Sequence, residues 1–402
     1  MKILFAHDNR FIPVDGDVFS ESQFSHRLWG RYLAHFDEMT VFARQGTLPS
    51  HKRKCDLEYS EAPGVSFVFG SDISSLSAQL TQRKKVRQKV RSLLANAVVA
   101  RLPSELGFVA IQEAEREGVA WAVEVVGDTW DSYWNYGTLA GKLYAPIAWW
   151  RARRWISKAP YAIYVTREHL QKRYPCNGTV SYASNVEIQP VQPEILQNRL
   201  SGCRKDWLAD RKRLTCGMIG SLASRYKGLH VALKALNELR TKGVDVHLHV
   251  LGGGDLDAWM GEAARLGVED LLHLDGLLPG GDPVFKWLDG LDFYIQPSYS
   301  EGLPRGLIEA MSRGLPALAS TCGGIPELLR PDCLHRPGDS KKLAADMGKL
   351  IRNTSWRINL AQHNFREAEN YYAKWIERRR NEFWRKFSEF CKKKNSTCIK
   401  NY

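Results

Sequence analysis

The second half of the chain alternates short apolar runs with longer amphipathic segments. The apolar runs predict buried strands at residues 214–219, 246–251, 272–275, 293–295, 316–320 and 333–334. Between the first two runs, leucines recur at helical spacing from Leu229 to Leu239, which predicts an amphipathic helix. Alternation of single strands with helices is typical of a doubly wound α/β domain built on a parallel sheet.

The first half shows the same alternation less regularly. Its apolar runs predict strands at residues 1–6, 38–43, 65–69, 98–101, 120–126, 162–166 and 179–183. We expect a loop at 7–17 and then a helix over 20–36, capped by Ser20 with Gln23 as its partner. The two halves together predict two doubly wound, Rossmann-like domains.

The pattern also predicts where the domains begin and end. We expect residues 1–190 and 213–370 to be the two domains, joined by a linker at 191–212. Residues 371–402 are expected to form a C-terminal helix and a basic tail, mobile from residue 392.

Composition narrows the class of protein. The chain has 402 residues, 44% of them apolar, which suits two globular domains. Its formal charge of +13 indicates an anionic partner. The cysteines include no C-x-x-C pair, which favours reduced thiols over a disulfide framework or zinc site. With no apolar run of about 18 residues and no signal-peptide pattern, we expect a cytoplasmic protein.

The stretch 292–313 predicts a strand, a loop and a helix in succession. An apolar run at 293–295 predicts the strand, and Pro304 suits the first turn of the helix. An apolar stripe from Leu307 to Met311 would face the sheet. In α/β proteins, free N–H groups and the helix dipole make such a helix start a binding site for anions.

The polar residues of this stretch suit a nucleotide sugar. Arg305 in the first helical turn is disfavoured by the dipole unless an anion docks there, and Gly302 lets a phosphate approach the main chain. Glu301 and Glu309 only accept hydrogen bonds when ionised, so they suit sugar hydroxyls. The alternative is that Glu301 is a loop charge and Glu309 a helix-face partner of Arg313.

Three motifs follow one another from this point. They are Glu301-Gly302-x-x-x-x-x-x-Glu309, Gly314-Leu315-Pro316 and Gly323-Gly324-Ile325-Pro326-Glu327. This series resembles the family-four retaining glycosyltransferases of the GT-B fold, strongly in the second half and more loosely in the first. The resemblance implies that Glu301 contacts the donor sugar and Glu309 the ribose. The amides of Gly302 and Leu303, with Pro304 and Arg305 beside them, would meet the diphosphate.

The resemblance also assigns the two domains and a cation. It implies an acceptor-side domain at 1–190 that faces the nucleotide-sugar domain across a cleft, with the last helix crossing back. The family usually has an Arg after the glycine that corresponds to Gly220, and a Lys six residues later. Ser221 stands at the Arg position and Lys227 matches the Lys, which would neutralise the diphosphate, with Arg225 supplying the missing charge.

Two more glycines are expected near the ligands. Gly253 belongs to a glycine cluster after the strand 246–251, which the resemblance places near the base and the diphosphate. Gly16 lies in the first predicted loop and is expected to approach the donor diphosphate or the acceptor. Asp15 and Asp17 flank Gly16 in a D-x-D pattern that binds metal in other glycosyltransferases. Because Asp and Gly are common turn residues, and because the resemblance argues against a metal, we expect neither a metal nor another cofactor.

Acids and an aromatic residue follow the strand 120–126. Carboxylates bind hydroxyls and a ring packs on C–H groups, so Asp128, Trp130 and Asp131 are placed to meet a sugar. Many family members have a His near this point, where this chain has Asp128 or Asp131. We therefore assign Asp131 to the predicted catalytic set, together with Glu301, Lys227 and Arg225.

Two basic stretches have two open interpretations. Residues 83–91 hold six cations and no acid, and residues 144–156 combine three tryptophans with three arginines. Both suit docking on anionic lipid at the inner face of the membrane. Both equally suit ordinary helices, with a solvated charged face in the first and buried tryptophans in the second.

The N-terminal stretch Asp8-Asn9-Arg10, Asp15-Gly16-Asp17 and Ser20-Glu21-Ser22-Gln23 resembles transferases of bacterial surface-polysaccharide assembly. Together, the two resemblances imply a retaining glycosyltransferase of that kind. It would move a sugar from a nucleotide-diphosphate sugar onto a glycan or a lipid-linked oligosaccharide. Two alternatives share the fold, a nucleotide-sugar epimerase and a disaccharide synthase. A third is a non-catalytic nucleotide-binding protein. The basic stretches contain no known nucleic-acid motif, so we expect no nucleic-acid partner.

Overall fold

The structure is a computed structural model, which describes residues 1–21, 24–48, 53–135, 138–209 and 214–400. Its first half is built on one large sheet. The strands of this sheet are β1 (Lys2–Val14), β2 (Asp17–Ser20), β3 (Glu38–Gln45), β4 (Glu58–Tyr59), β5 (Val65–Gly70), β6 (Ala97–Leu102), β7 (Ala120–Val125), β8 (Tyr161–Tyr164) and β9 (Thr179–Tyr182). The accompanying helices are α1 (Gly30–Leu33), α2 (Leu76–Leu93), α3 (Glu105–Arg116), α4 (Thr129–Trp134), α5 (Leu139–Ser157) and α6 (His169–Arg173).

The first sheet is doubly wound around β1. Parallel strands run in the order β5-β3-β1-β6-β7-β8-β9, and β2 and β4 add an antiparallel extension beside β1. The strands β6 and β7 are buried along their whole length because helices cover both faces of a parallel sheet. The predicted strands of this half are confirmed, with shifts of one or two residues at their ends except at β1, which extends eight residues further than predicted.

The loop predicted at 7–17 is wrong. β1 continues to Val14 and turns directly into β2, and both turn residues have positive φ, 53° at Asp15 and 90° at Gly16. An Asp-Gly pair is favoured in such a two-residue hairpin, because its left-handed backbone matches the twist of the strands. The turn thereby accounts for Gly16 without any ligand.

The helix predicted over 20–36 is also mostly wrong. Ser20 is the last residue of β2, and the helical part is limited to a 3-10 helix, His26–Trp29, followed by α1. Gln23, its predicted capping partner, lies outside the described residues. The apolar residues of the segment are nevertheless buried, among them Phe24 and Tyr32.

The second half is built on a smaller parallel sheet. Its strands are β10 (Leu214–Ile219), β11 (Val246–Leu251), β12 (Leu272–Gly276), β13 (Phe293–Gln296), β14 (Ala317–Ser320) and β15 (Leu334–His335). The helices of this half are α7 (Pro193–Arg204), α8 (Leu229–Arg240), α9 (Leu256–Arg265), α10 (Asp282–Asp289), α11 (Arg305–Ser312), α12 (Ser340–Arg352), α13 (Thr354–Ala368) and α14 (Ala373–Lys400). The order β12-β11-β10-β13-β14-β15 is that of a doubly wound nucleotide-binding fold.

The segment predicted as a linker is largely structured. Helix α7 occupies its centre and packs on α13 of the second half. Arg199 of α7 donates to the main-chain oxygens of Leu291 and Arg313, and Cys203 and Trp207 are buried. Residues 210–212 of the predicted linker lie outside the described part of the chain.

The last helix returns to the first half, as predicted. Trp384 packs on Tyr32 of α1, and Phe387 packs on both Phe36 and Tyr161. Phe383 also packs on Tyr161, whereas Trp375 is 42% exposed. Helix α14 continues to Lys400, so residues 392–400 of the predicted tail are helical. None of the described helices is both long and apolar enough to cross a bilayer.

Candidate active site

The loops that follow β10 and β13 meet at the centre of the second sheet. The strand order reverses between these two neighbouring strands, so their carboxyl ends form the crevice where doubly wound folds bind ligands. The loop after β10 carries Lys227 at the end of a 3-10 helix, Arg225–Lys227. The loop after β13 carries Glu301 just before α11.

Lys227 and Glu301 form an ion pair in this crevice. The Nζ atom of Lys227 lies 2.7 Å from Oε1 of Glu301, and both side chains are largely buried. Burial acts to lower the pKa of Lys227, but the adjacent Glu301 carboxylate outweighs it, and the pKa is raised. The fold thus brings together two residues that are separated by 74 positions in the sequence.

Two further residues hold the same carboxylate oxygen. Ser298 donates its hydroxyl to Glu301 Oε1 over 2.8 Å, and Gln296 donates its side-chain amide over 3.1 Å. The described residues donate no hydrogen bond to the other oxygen, Oε2, which is therefore the one left for a ligand hydroxyl. Sequence analysis missed both residues; the polar Gln296 at the end of an apolar strand was the available signal.

A buried tyrosine links this network to β10. The Tyr294 hydroxyl accepts from the main-chain N–H of Ile219 and donates to Gln296 Oε1, at 3.0 and 2.8 Å. Burial raises the pKa of Tyr294, so its hydroxyl stays protonated and keeps donating. The orientation of Glu301 is therefore set by the core of the sheet rather than by its loop alone.

Two glycines allow the close approaches that shape the crevice. Gly228, after Lys227, has φ of 80°, and a Cβ there would lie 2.0 Å from the oxygen of Pro297. A Cβ on Gly302 would lie 2.2 Å from the oxygen of Val126, at the end of β7 in the first half. Gly302 was expected to admit a phosphate, but the contact with Val126 already excludes a side chain.

Glu309 lies on α11 with a carboxylate that the described residues leave unpaired. Burial raises its pKa, and Arg305, one turn earlier, partly opposes that shift. The alternative that Glu309 pairs with Arg313 is wrong, because Arg313 binds Asp289 through two bonds of 2.7 and 2.5 Å. An acid that is costly to bury and has no protein partner is available to a ligand.

The start of α11 offers main-chain donors. Pro304 is its N-cap residue, and Ile308 is the first residue whose N–H bonds back within the helix, to the oxygen of Pro304. The N–H groups of Gly302 and Leu303 donate to no other described residue. Arg305 is exposed beside them, so an anion at this helix start would meet both N–H groups and a cation.

Arg225 does not join Lys227 in the crevice. Its guanidinium forms two bonds with Glu262 of α9, at 2.7 and 2.9 Å, and lies over the ring of Trp259. The hydrogen bonds to Glu262 raise its pKa. A role for Arg225 at a diphosphate would require this pair to open. Ser221, at the family's Arg position, is exposed and supplies no charge.

The glycines before and after this loop are packed closely. A Cβ on Gly220 would lie 3.0 Å from Lys227 Cγ, and the oxygen of Gly253 accepts from the N–H of Leu222 over 2.8 Å. Gly220 and Gly253 therefore both lie at the carboxyl edge of the second sheet, in the region predicted for the donor.

The first half contributes acids from the loop after β7. Asp128 caps α4, accepting from the N–H of Trp130 over 2.8 Å, and also accepts from the Tyr174 hydroxyl over 2.6 Å. It pairs with Arg173 as well, so its role is structural. Asp131 has no such partner among the described residues. Burial, with a smaller contribution from Asp128, raises the pKa of Asp131 to about 6.

Cys322 shows that Asp131 lies near the ion pair. Burial is the main cause that raises the pKa of this thiol to about 12, and the charges of Glu301, Asp131 and Lys227 all act on it. The Cys322 side chain is 6% exposed and accepts from the Ser320 hydroxyl. Asp131 of the first half and the ion pair of the second half therefore both lie near Cys322.

Other contacts between the halves surround this crevice. Asn135, after α4, donates its side-chain amide to the oxygen of Tyr299 over 3.1 Å. Glu327 of the second half accepts from the main-chain N–H groups of Arg167 and Glu168 at the start of α6. Next to Asp131, the rings of Trp130 and Trp134 stack at 5.3 Å between centroids.

Gly16 and its flanking acids lie on the hairpin extension of the first sheet. Lys54 lies 3.2 Å from Asp17 and 3.6 Å from Asp15, and both acids are substantially exposed. No group of three potential metal ligands occurs in the part of the chain that the structure describes. The predicted approach of Gly16 to the donor stays a prediction.

The basic stretch 83–91 belongs to α2, and part of it is tied to α3. Arg87 and Arg91 both bind Glu113, at 2.6 and 2.5 Å. Lys84, Lys85 and Lys89 are exposed and pair with no acid among the described residues. The two arginines thus hold α2 to α3 through the buried Glu113, and the three lysines leave both interpretations open.

Comparisons with known proteins identify the second half. Residues 213–353 match the family model of the glycosyl transferases group 1. CapJ of Staphylococcus aureus is 29% identical over 375 residues, which cover 92% of this chain and 92% of CapJ. The amylovoran biosynthesis glycosyltransferase AmsK of Erwinia amylovora is 36% identical over 134 residues, 31% of this chain and 33% of AmsK.

Solved structures match the whole architecture. Sucrose-phosphate synthase from Thermosynechococcus elongatus has a TM-score of 0.68 at 15% identity, covering 96% of this chain and 99% of its own. HepE from Anabaena, solved in complex with UDP-glucose, has a TM-score of 0.62 at 18% identity, covering 95% and 98%. These similarities show the fold, which is GT-B, as the motifs predicted.

Proposed function

We propose a retaining reaction for this chain, which is a group 1 glycosyltransferase of the GT-B fold. It would transfer a sugar from a nucleotide-diphosphate sugar onto a glycan or lipid-linked oligosaccharide during surface-polysaccharide biosynthesis. The observation that carries the proposal is the Lys227–Glu301 pair at the switch point of the second sheet. The biosynthetic role is supported by the similarity to AmsK, a glycosyltransferase of amylovoran biosynthesis, and the donor class by the UDP-glucose complex of HepE.

The donor is proposed to lie along the start of α11. The unpaired Glu309 carboxylate would accept from the ribose hydroxyls. The N–H groups of Gly302 and Leu303, with Arg305 beside them, would bind the diphosphate. The free Oε2 of Glu301 would accept from a hydroxyl of the sugar. In this arrangement the carboxylates accept from hydroxyl groups of the donor, and the N–H groups and the arginine bind its phosphates.

Lys227 is proposed to stabilise the leaving group. When the bond between the anomeric carbon and the phosphate oxygen breaks, negative charge accumulates on the diphosphate and positive charge on the sugar. A lysine held charged at that point favours the departure of the phosphate. The Glu301 carboxylate, held by three donors, would at the same time favour positive charge on the sugar.

Asp131 is proposed to act on the acceptor side. The acceptor hydroxyl forms the new bond to the anomeric carbon, and its proton must go to a base. With a pKa of about 6, Asp131 is ionised at neutral pH and yet retains some basicity. The stacked Trp130 and Trp134 beside it offer ring surface to the C–H face of an acceptor sugar.

The proposal includes a location and a set of partners. We place the protein in the cytoplasm at the inner face of the membrane, where nucleotide sugars and lipid-linked acceptors meet. No metal is needed in this scheme, since Lys227 and main-chain N–H groups neutralise the diphosphate. The domain division at 190, 212 and 370 is kept as a proposal. In its favour, the two crossing segments meet, with Ala373 N–H donating to the oxygen of Ile188.

Release of nucleoside diphosphate from a panel of nucleotide sugars tests the proposal. We expect release with one donor, accelerated by an acceptor extract, with the product keeping the anomeric configuration of the donor. Conversion of the donor to another nucleotide sugar without an acceptor would favour the epimerase alternative instead. A control variant, Glu58→Gln, changes an exposed acid of the first half and should react as the wild type does.

A further inference from the structure

Helix α5 presents an apolar stripe to solvent. Leu139, Leu143, Ile147 and Trp150 are 74, 71, 58 and 58% exposed. Their spacing of four, four and three residues places them on one face of the helix. The opposite face carries Ala145, Ala148, Ala152 and Ile156, which are buried against the first half. A stripe of this size on an otherwise anchored helix marks an interaction surface.

The charges around the stripe are of one sign. Neither α5 nor the neighbouring α2 contains an Asp or Glu along its 19 and 18 residues. The two helices touch where the Tyr144 hydroxyl donates to Gln79, and the next residue, Leu80, is 87% exposed. Exposed cations flank the stripe on α5, where Lys142 and Arg154 lie over Trp134 and Trp150.

We propose that this face of α5, with the exposed lysines of α2, docks on an anionic lipid bilayer. An interfacial helix buries apolar side chains among acyl chains and places cations at the headgroups, and Trp150 suits the boundary between the two. A second copy of the chain is the weaker occupant, because two such faces would bring like charges together.

The position of the stripe narrows the acceptor class. Leu139 follows Trp134 by only five residues, and Trp134 stacks on Trp130 beside Asp131. The acceptor side of the crevice therefore opens next to the docking face. We infer that the acceptor is lipid-linked, with its lipid in the bilayer and its sugar at the tryptophan pair. This step rests on the proposed function, whereas the docking does not.

Sedimentation of the full chain with vesicles tests the docking. We expect binding to vesicles of phosphatidylglycerol and phosphatidylcholine, and a loss of roughly tenfold or more in the double variant Leu143→Gln/Ile147→Gln. The matched control, Leu256→Gln/Met260→Gln, changes an exposed apolar pair with the same spacing on α9 and should bind as the wild type does. Equal melting temperatures would show that all three proteins are folded.

Three results would overturn the docking. The wild type could fail to bind at low salt, or the Leu143→Gln/Ile147→Gln variant could bind as tightly as the wild type. The wild type could also form a dimer that this variant abolishes, without binding vesicles, which would identify a second copy as the occupant.

Turnover distinguishes the docking from the proposed function. Donor hydrolysis without vesicles should be equal in the wild type and the α5 variant. Transfer to a lipid-linked acceptor in vesicles should fall about tenfold in the variant, in line with its weaker binding, and transfer to a water-soluble acceptor should not. If the variant loses the same fraction of its transfer rate with both acceptors, or loses none with either, the inferred acceptor class is wrong. Absence of any donor turnover, with vesicle binding as expected, would refute the proposed function alone.

Discussion

The ammonium group of Lys227 lies 2.7 Å from the carboxylate of Glu301, across the point where the strand order of the second sheet reverses. The two opposite charges of the pair balance each other. When a diphosphate enters, Lys227 gains a second anionic partner, and Glu301 keeps its bonds from Gln296 and Ser298. The carboxylate therefore stays in place even if the lysine shifts toward the phosphate.

The first prediction concerns the charge of Lys227. Because its pKa is raised, the amine stays protonated throughout the neutral range and up to its ordinary value of about 10.4. We expect no loss of kcat between pH 7 and 9 from this residue. Lys227→Met should lower kcat by about a hundredfold or more, as the loss of a charge-stabilising donor does. If kcat falls between pH 7 and 9 in the wild type but not in Lys227→Met, this prediction is wrong.

The second prediction concerns the titration of Asp131. If its carboxylate takes the proton of the acceptor hydroxyl, kcat/KM should fall as the pH drops below about 6, the pKa of Asp131. Asp131→Asn should lower the rate and abolish this fall at acidic pH. Glu58→Gln changes an exposed acid elsewhere in the same half and serves as the control. A wild-type profile that stays flat down to pH 5 would exclude Asp131 as the base.

The same residue should lower stability at neutral pH. A folded pKa of about 6 against an ordinary 3.8 means that between pH 4 and 6 the folded state binds more protons. Stability is therefore lost as pH rises through that window. We expect Asp131→Asn to be more stable than the wild type at pH 7, by on the order of 2 kcal/mol, and equal to it near pH 3.5. Chemical denaturation at the two pH values measures this.

The second sheet could be predicted from sequence because most buried side chains of its strands are apolar. β10 and β11 each contain several such residues and are followed by a glycine, Gly220 or Gly252, so their observed bounds match the prediction. β1 differs, because His7, Asp8 and Asn9 make its central part polar although the strand continues. Runs of apolar residues in the sequence therefore indicate which positions of β1 are buried, and they miss the part of the strand that is polar.

The site was predictable only in part. Glu301 and Lys227 stand in motifs, so their types and positions suggested their roles before their contact was known. Arg225 had the right charge but a closer partner in Glu262, 37 residues away. Gln296 carries no motif, and its role depends on the buried Tyr294 hydroxyl. Contacts of this kind depend on tertiary packing that no local pattern specifies.

The third prediction concerns the close approach at Gly302. A Cβ there would meet the Val126 oxygen at 2.2 Å, and neither main chain can move without shifting the loop that carries Glu301. Since displacement of a reacting group by about 1 Å can cost a hundredfold, we expect Gly302→Ala to lower kcat/KM at least tenfold. Gly261→Ala on α9 meets nothing within 4 Å and should leave the rate unchanged. Equal rates for both variants would refute the constraint.

The fourth prediction concerns metal. If Lys227 and the main-chain N–H groups of Gly302 and Leu303 neutralise the diphosphate, EDTA should barely change the rate of donor turnover. Asp15 and Asp17 then serve only the hairpin and Lys54, so Asp15→Asn should also be nearly silent. Complete inhibition by EDTA, reversed by Mn²⁺ or Mg²⁺, would restore the D-x-D pattern as a metal site.

The last prediction separates the two glutamates. Glu309 should bind the ribose equally in the ground and transition states, so Glu309→Gln should mainly raise the donor KM and weaken free nucleoside diphosphate. Glu301 should bind the sugar that gains positive charge, so Glu301→Gln should mainly lower kcat. Its glutamine oxygen can still accept from Lys227 and Ser298, which limits damage to the fold. One charge-assisted hydrogen bond is worth about 1.5–3 kcal/mol, so each effect should be roughly ten- to a hundredfold.

Calorimetric titration of the nucleoside diphosphate measures the difference directly, because this ligand has a ribose and no transferred sugar. Glu301→Gln should bind it nearly as the wild type does, and Glu309→Gln should bind it at least about tenfold more weakly, the loss of one such bond. Asp289→Asn, which removes the partner of Arg313 on the outer side of α11, controls for general disturbance of that helix. If Glu301→Gln weakens the diphosphate as much as Glu309→Gln does, the assignment of the sugar to one carboxylate and the ribose to the other is wrong.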